Sequence, residues 1–192
     1  MEISNYFFTI LTILLFISHA NPTSASKVPQ TYTSFIKKSC NTTTYPTLCV
    51  KTLYPYASTV KTNSIRLCNA ALLVAIQSTG NCSTTVLKLA SGKNISRPDA
   101  SALKNCIGDL KDAVYELRQT VSAMRHLRDA DKEFQWDNAK TYASAAITDA
   151  ETCIDEVSDR RVNQNVMNKI RDCVSGVEKH ISNALSLINH LY

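Results

Sequence analysis

Glycine and proline are scarce in this 192-residue chain: there are four glycines and five prolines, and no proline follows Pro98. Proline removes a backbone donor and clashes with the preceding turn, so nothing of that kind interrupts a helix from Asp99 to Tyr192. No Cys-x-x-Cys pair occurs, which excludes a zinc ribbon or a thioredoxin-like centre. A His-Glu-x-x-His helix, a Gly-x-Ser-x-Gly elbow and a glycine-rich phosphate loop are also missing. His19, His126, His180 and His190 are scattered single residues, the last three expected on polar helix faces. Serine and threonine are plentiful, but no base is placed beside any one of them. Asp149, Glu151, Asp155 and Glu156 form an acidic cluster that a solvated helix face explains without acid–base chemistry. The expectation is a protein that is not an enzyme and holds neither metal nor cofactor.

Basic residues are paired only at Lys37-Lys38 and Arg160-Arg161, and aromatic residues are not interleaved with them, so no nucleic-acid partner is expected. One long apolar run exists, Tyr6 to Ile17, followed by small residues up to Ala20 and Ala25. It is shorter than the ~20 residues that span a bilayer, and it reads as a signal peptide over 1–25, cleaved after Ala20 or Ala25. The leader carries Glu2 and no lysine or arginine, which leaves a membrane anchor as the alternative. With no second apolar run, the mature chain is expected to be secreted and free of the membrane. Cleavage leaves residues 26–192 as one domain and takes Glu2 from the 16 acidic residues, so 21 basic side chains face 15 acidic ones, a net +6. A mild basic excess suits acidic surfaces, such as a polyanionic wall polymer.

All seven cysteines follow the leader, which in an oxidising compartment implies disulfides and one remaining thiol. Three sequons, at Asn41, Asn81 and Asn94, are candidate N-glycosylation sites.

Four segments space apolar residues by alternating threes and fours. The first runs from Cys68 through Leu72, Ala75, Thr79, Cys82 and Val86 to Leu89. The second runs from Leu103 through Ile107, Leu110, Val114, Leu117 and Val121 to Met124. The third runs from Trp136 through Ala139, Ala143, Ala146, Ala150 and Cys153 to Val157. The fourth holds Val166, Ile170, Cys173, Val177, Ala184, Leu187 and Leu191, with Ile181 one place off the seam. Short connections make neighbours antiparallel, so the fold class is all-α, an up-down-up-down four-helix bundle over 64–191. Before it, residues 30–58 make a helical hairpin of two amphipathic pieces, Tyr32 to Ser39 and Pro46 to Tyr56, whose turn is flanked by Cys40 and Cys49.

In this topology Cys106 and Cys153 lie at similar heights on adjacent helices and are expected to pair, a closure contributing about 4 kcal/mol by loop entropy. Joining Cys40 to Cys49 would staple the hairpin. Cys82 and Cys173 also fall at similar heights, on the first and fourth helices. Two readings stay open for them: a third bridge with Cys68 as a buried thiol, or all three as small core residues.

The stretches SFIKKSCNTTTYPTLC (34–49), ALKNCIGDLKDAVYEL (102–117), YASAAITDAETCIDE (142–156) and SNALSLI (182–188) resemble the plant inhibitors of pectin methylesterase and invertase. The resemblance implies a Cys-x8-Cys hairpin followed by a four-helix bundle with one interhelix bridge, in agreement with Cys40–Cys49 and Cys106–Cys153. It also implies a wall-located (apoplastic) inhibitor that covers an enzyme's substrate cleft in a one-to-one complex. Polar residues of the second and third bundle helices are the implied contacts, by position Thr148, Asp149 and Thr152. Invertase inhibitors are expected to carry Pro-Lys-Phe before the third bundle helix. Here the place reads Asp131-Lys132-Glu133-Phe134, so the resemblance points to pectin methylesterase as partner, with invertase as the alternative. A basic pectate-binding wall protein without inhibitory activity is the reading from another class.

Overall fold

The structure, a computed structural model, describes residues 28–92, 95–160 and 162–192. The expected leader and the sequon asparagine Asn94 lie outside the described residues. Helix α1 (Gln30–Cys40) and α2 (Pro46–Leu53) form the hairpin. A 3-10 turn at Tyr54–Tyr56, where Pro55 offers no backbone donor, leads into the short α3 (Ala57–Val60). Four long helices follow: α4 (Ser64–Ala90), α5 (Arg97–Arg125), α6 (Lys132–Ser158) and α7 (Gln164–Asn189).

Local chemistry sets where the long helices start. The side chain of Asn63 accepts from the Arg66 N–H at 2.9 Å at the head of α4. Ser96 accepts from the Asp99 N–H at 3.2 Å at the head of α5, where Pro98 and Asp99 occupy the first turn. Asn163 caps α7 through the Asn165 N–H at 2.9 Å. Each cap satisfies a donor that the helix leaves without an internal partner.

The four helices pack in a ring, α4 on α5, α5 on α6, α6 on α7 and α7 back on α4. Across α5 and α6, Asn105 meets Glu156 and Cys106 meets Cys153, one number rising as the other falls, which is antiparallel register. The α6 seam is made of Ala139, Ala143, Ala146 and Ala150, all fully buried, and small side chains let α6 approach its neighbours closely.

Two seams run differently from the sequence expectation. On α5 the buried line is Leu103, Cys106, Leu110, Ala113, Leu117, Thr120 and Met124, while Val114 and Val121 sit half-buried beside it. Ala113 is too small and Thr120 too polar to stand out in a count of large apolar residues. The Thr120 hydroxyl donates to the Glu116 carbonyl at 3.0 Å, which removes the cost of burying it. On α7 the line is Met167, Ile170, Val174, Val177, Ile181, Ala184 and Ile188. Ile181 is therefore on the seam and fully buried, and Cys173 lies to one side of it.

The hairpin packs on α4 and α7, the side of the bundle opposite α5 and α6. Ile36, Leu53 and Val60 join the same core cluster as Leu72, Leu110 and Ile181, so hairpin and bundle share one core. Bridges join Cys40 to Cys49, Cys82 to Cys173 and Cys106 to Cys153, and Cys68 is a buried free thiol. Burial pushes that thiol up to about 12, which keeps it neutral and unreactive. His180, expected on a polar face, is instead half-buried near Cys49, Leu53 and Val74, and burial lowers its pKa. No described helix is long and apolar enough to cross a membrane.

Candidate functional site

Among the described residues the hairpin occupies the α4–α7 side, which leaves the paired outer surfaces of α5 and α6 as the uncovered broad face. On α5, Asp109, Asp112 and Glu116 follow a spacing of three and four residues and so share one stripe. On α6, Asp149, Thr152 and Glu156 share a stripe by the same rule. Antiparallel register brings the two stripes together. The Asn105 side-chain amide donates to Glu156 Oε2 at 3.1 Å, tying the stripes at one end.

The carboxylates of this band crowd one another. Partial burial, with Glu156, Asp112 and Asp149 nearby, pushes the Asp109 carboxyl up to about 6. Burial, then Asp112 and Glu116, raises Asp149 as well. No donor among the described residues reaches Asp109 Oδ2 or Glu116 Oε2, although both oxygens are shielded from solvent. The negative charge of the ridge, carried at its surface by the exposed Asp112, is complementary to a basic partner surface. Tyr115, 58% exposed, stands on the outer side of α5 next to this ridge. It offers the kind of aromatic anchor that concentrates energy at protein interfaces.

The nominated contacts fall on this face as follows. Thr148 and Thr152 are exposed one turn apart on α6, and the Thr152 hydroxyl donates to the Thr148 carbonyl at 2.9 Å. Asp149, in the α6 stripe, is half-buried. Asp109, Asp112, Glu116 and Tyr115 were not among the nominations. Their signal was the acidic spacing on α5, which becomes part of the α6 cluster only once the register through Cys106 and Cys153 is applied. The other candidate positions lie elsewhere. Asn41 is exposed at the end of α1 and Asn81 is exposed on α4, both away from the α5–α6 face. Lys132 and Phe134 are exposed at the start of α6. Among the described residues no group of three or more histidine, cysteine or acidic side chains is placed to hold a metal ion.

The sequence pattern of the plant invertase/pectin methylesterase inhibitor family matches residues 34–187. Pectinesterase inhibitor 4 from Arabidopsis thaliana is 37% identical over 187 residues, covering 94% of this chain and 94% of that one. Pectinesterase inhibitor 11 from the same plant is 32% identical over 188 residues, covering 96% of this chain and 93% of that one. A crystal structure of a mutant form of a pectin methylesterase inhibitor from Arabidopsis has the same fold, with a TM-score of 0.62 at 19% identity over 82% of this chain and 97% of that one. These relatives are inhibitor proteins, not enzymes, and the chain belongs with them to the plant invertase/pectin methylesterase inhibitor family.

Proposed function

We propose that this chain is a secreted inhibitor of pectin methylesterase that acts in the plant cell wall. It binds the enzyme one-to-one and lays the α5–α6 face over the substrate cleft. The observation that carries this reading is the crowded acidic ridge of Asp109, Asp112, Glu116 and Asp149 on the face the hairpin leaves uncovered. Inhibition needs no chemistry from the inhibitor. A rigid, three-bridge scaffold that excludes substrate is sufficient, because little conformational freedom is lost on docking. Thr148, Asp149 and Thr152 supply polar contacts on α6, and Tyr115 supplies an aromatic one on α5. Relatives named as pectinesterase inhibitors support pectin methylesterase as the partner.

An invertase target is the second reading, favoured by the exposure of Lys132 and Phe134 together at the start of α6. Titrating the purified protein against pectin methylesterase and against invertase at mildly acid pH decides between them. Stoichiometric loss of pectin methylesterase activity with invertase untouched is the expected result. Loss of invertase activity alone transfers the assignment to the second reading, and loss of neither removes the inhibitory reading altogether.

A further inference from the structure

Where α6 begins and the chain runs on past α7, Lys132, Glu133, Trp136, Asp137 and Tyr192 surround a cavity of about 270 Å³. The sequence has one tryptophan, and it forms a wall of this cavity. Three contacts fix its ring. The indole N–H donates to the Ile188 carbonyl at 2.9 Å. The Lys140 ammonium lies 3.7 Å from the ring centroid and is itself held by Asp137 at 2.7 Å. Tyr192 meets the ring edge-on, with centroids 5.5 Å apart and planes at 79°. Tyr192 remains 65% exposed, with its hydroxyl donating to the Leu127 carbonyl at 3.3 Å and the Lys132 ammonium 6.0 Å from its ring centroid.

Charge and shape narrow what fits. Lys132 and Lys140 balance Glu133 and Asp137, so a polyanion gains nothing from the cavity. Its volume is below the ~300–1,000 Å³ of drug-sized sites, which suits one small ring more than a protein segment. The rim offers both donors and acceptors around an aromatic wall. A pyranose has apolar C–H faces and a perimeter of hydroxyls that donate and accept, and it matches both features. We propose that this cavity binds an uncharged pyranose unit of an oligosaccharide, stacked on Tyr192, with its hydroxyls on Lys132, Glu133 and Asp137. The site is separate from the Asp109–Asp149 ridge and stands independently of the inhibitory reading.

Because Trp136 is the single tryptophan, its fluorescence reports the cavity directly. The purified chain is titrated with a neutral β-linked glucan hexamer, a methyl-esterified galacturonan oligomer and the same galacturonan after saponification. A saturable emission change with at least one uncharged oligomer is expected, with the saponified polyanion distinctly weaker. Tyr192→Ala is expected to weaken that binding roughly tenfold with unchanged circular dichroism. Glu133→Ala, at an exposed helix start, gives a second variant should Tyr192→Ala fail to fold. The proposal is overturned if neither uncharged oligomer changes the emission or gives a saturation-transfer NMR signal. It is equally overturned if the polyanion binds tightest in a salt-dependent way, or if the folded variants bind as the parent does.

Discussion

The side chain of Asn183 closes both hydrogen bonds of one peptide residue: its Oδ1 accepts from the Tyr45 N–H at 2.9 Å and its Nδ2 donates to the Tyr45 carbonyl at 3.0 Å. Asn183 is on α7 and only 4% exposed, and Tyr45 is the residue that leads into α2. One amide therefore fixes the hairpin turn to the bundle. Replacing Asn183 with Leu removes both bonds. The Tyr45 carbonyl still accepts from the Cys49 N–H at 3.0 Å, so the Tyr45 N–H is the group left without a partner, which costs about 1 to 3 kcal/mol. Urea denaturation of Asn183→Leu should show that loss with helical content retained. An unchanged midpoint would mean that the hairpin is not held at Tyr45.

The chain leaves the hairpin through Lys61, the one described non-glycine residue with positive φ, at 56°. A side chain in that region strains the backbone by roughly 1–3 kcal/mol. Glycine removes the strain but brings extra unfolded-chain entropy of roughly 0.5–1 kcal/mol. Lys61→Gly should therefore gain about 1 kcal/mol in a denaturation series, whereas Lys61→Ala, which keeps the Cβ, should gain nothing. Equal effects of the two substitutions would count against strain at this hinge.

Cys68 is expected to be silent to a thiol reagent in the native protein and to react once per chain after denaturation without reductant, since burial holds it neutral and covered. Quantitative alkylation with mass readout checks this. Three reactive thiols in the denatured chain would show that Cys82 and Cys173 are not bridged.

The long helices are legible in the sequence because periodicity and the lack of proline act over many residues at once. Ala139, Ala143, Ala146 and Ala150 mark the α6 seam by spacing alone. The α5 seam departs from the expected line where small or polar residues, Ala113 and Thr120, take core positions that bulk would have marked. The α7 seam departs where apolar residues stand side by side, Val166 with Met167 and Cys173 with Val174, so that spacing does not say which of the two is buried. The short α3 and the 3-10 turn at Tyr54–Tyr56 are too brief to be stable by local propensity and exist through packing against the rest. Functional geometry was less legible for the same reason. Thr148, Asp149 and Thr152 share a helix and could be grouped by spacing. Asp109 and Glu116 join them only across helices, and Tyr192 meets Trp136 only in the folded bundle.

Stability should vary with pH in a direction set by the ridge. Asp109 is raised from 3.8 to about 6, so between those values the folded chain holds a proton that the unfolded chain has released. Its contribution is fully present below 3.8 and is lost as pH rises through about 6. Asp149 and Glu178, also raised mainly by burial, act in the same direction. His180 is lowered by burial and opposes them, losing stability as pH falls below the ordinary histidine value. Comparing Asp109→Asn with the parent separates the two effects. The substitution should raise the urea midpoint at pH about 7.5 and narrow its difference from pH about 5. A variant that is less stable than the parent at the higher pH would show that the Asp109 carboxylate is stabilised there.

The docking face makes the most direct test of function, because substitutions there should weaken binding without weakening the fold. Lysine at position 149 relieves repulsion with Asp112 and Glu116, so Asp149→Lys should not destabilise the bundle. Combined with Thr148→Arg, it places bulk and positive charge where the ridge is proposed to receive basic groups of pectin methylesterase. Mismatched charge at an interface costs about 2 to 5 kcal/mol, or at least roughly 30-fold in affinity. The double variant should therefore keep its circular dichroism and its denaturation midpoint while inhibition weakens by that factor. Tyr115→Ala, on the same face but uncharged, should weaken inhibition without altering its salt dependence. Lys132→Ala with Phe134→Ala, at the far end of α6, should leave inhibition near that of the parent. If the double variant inhibits normally while the changes at Lys132 and Phe134 abolish inhibition, the enzyme sits at the start of α6 and the acidic ridge is a solvated surface.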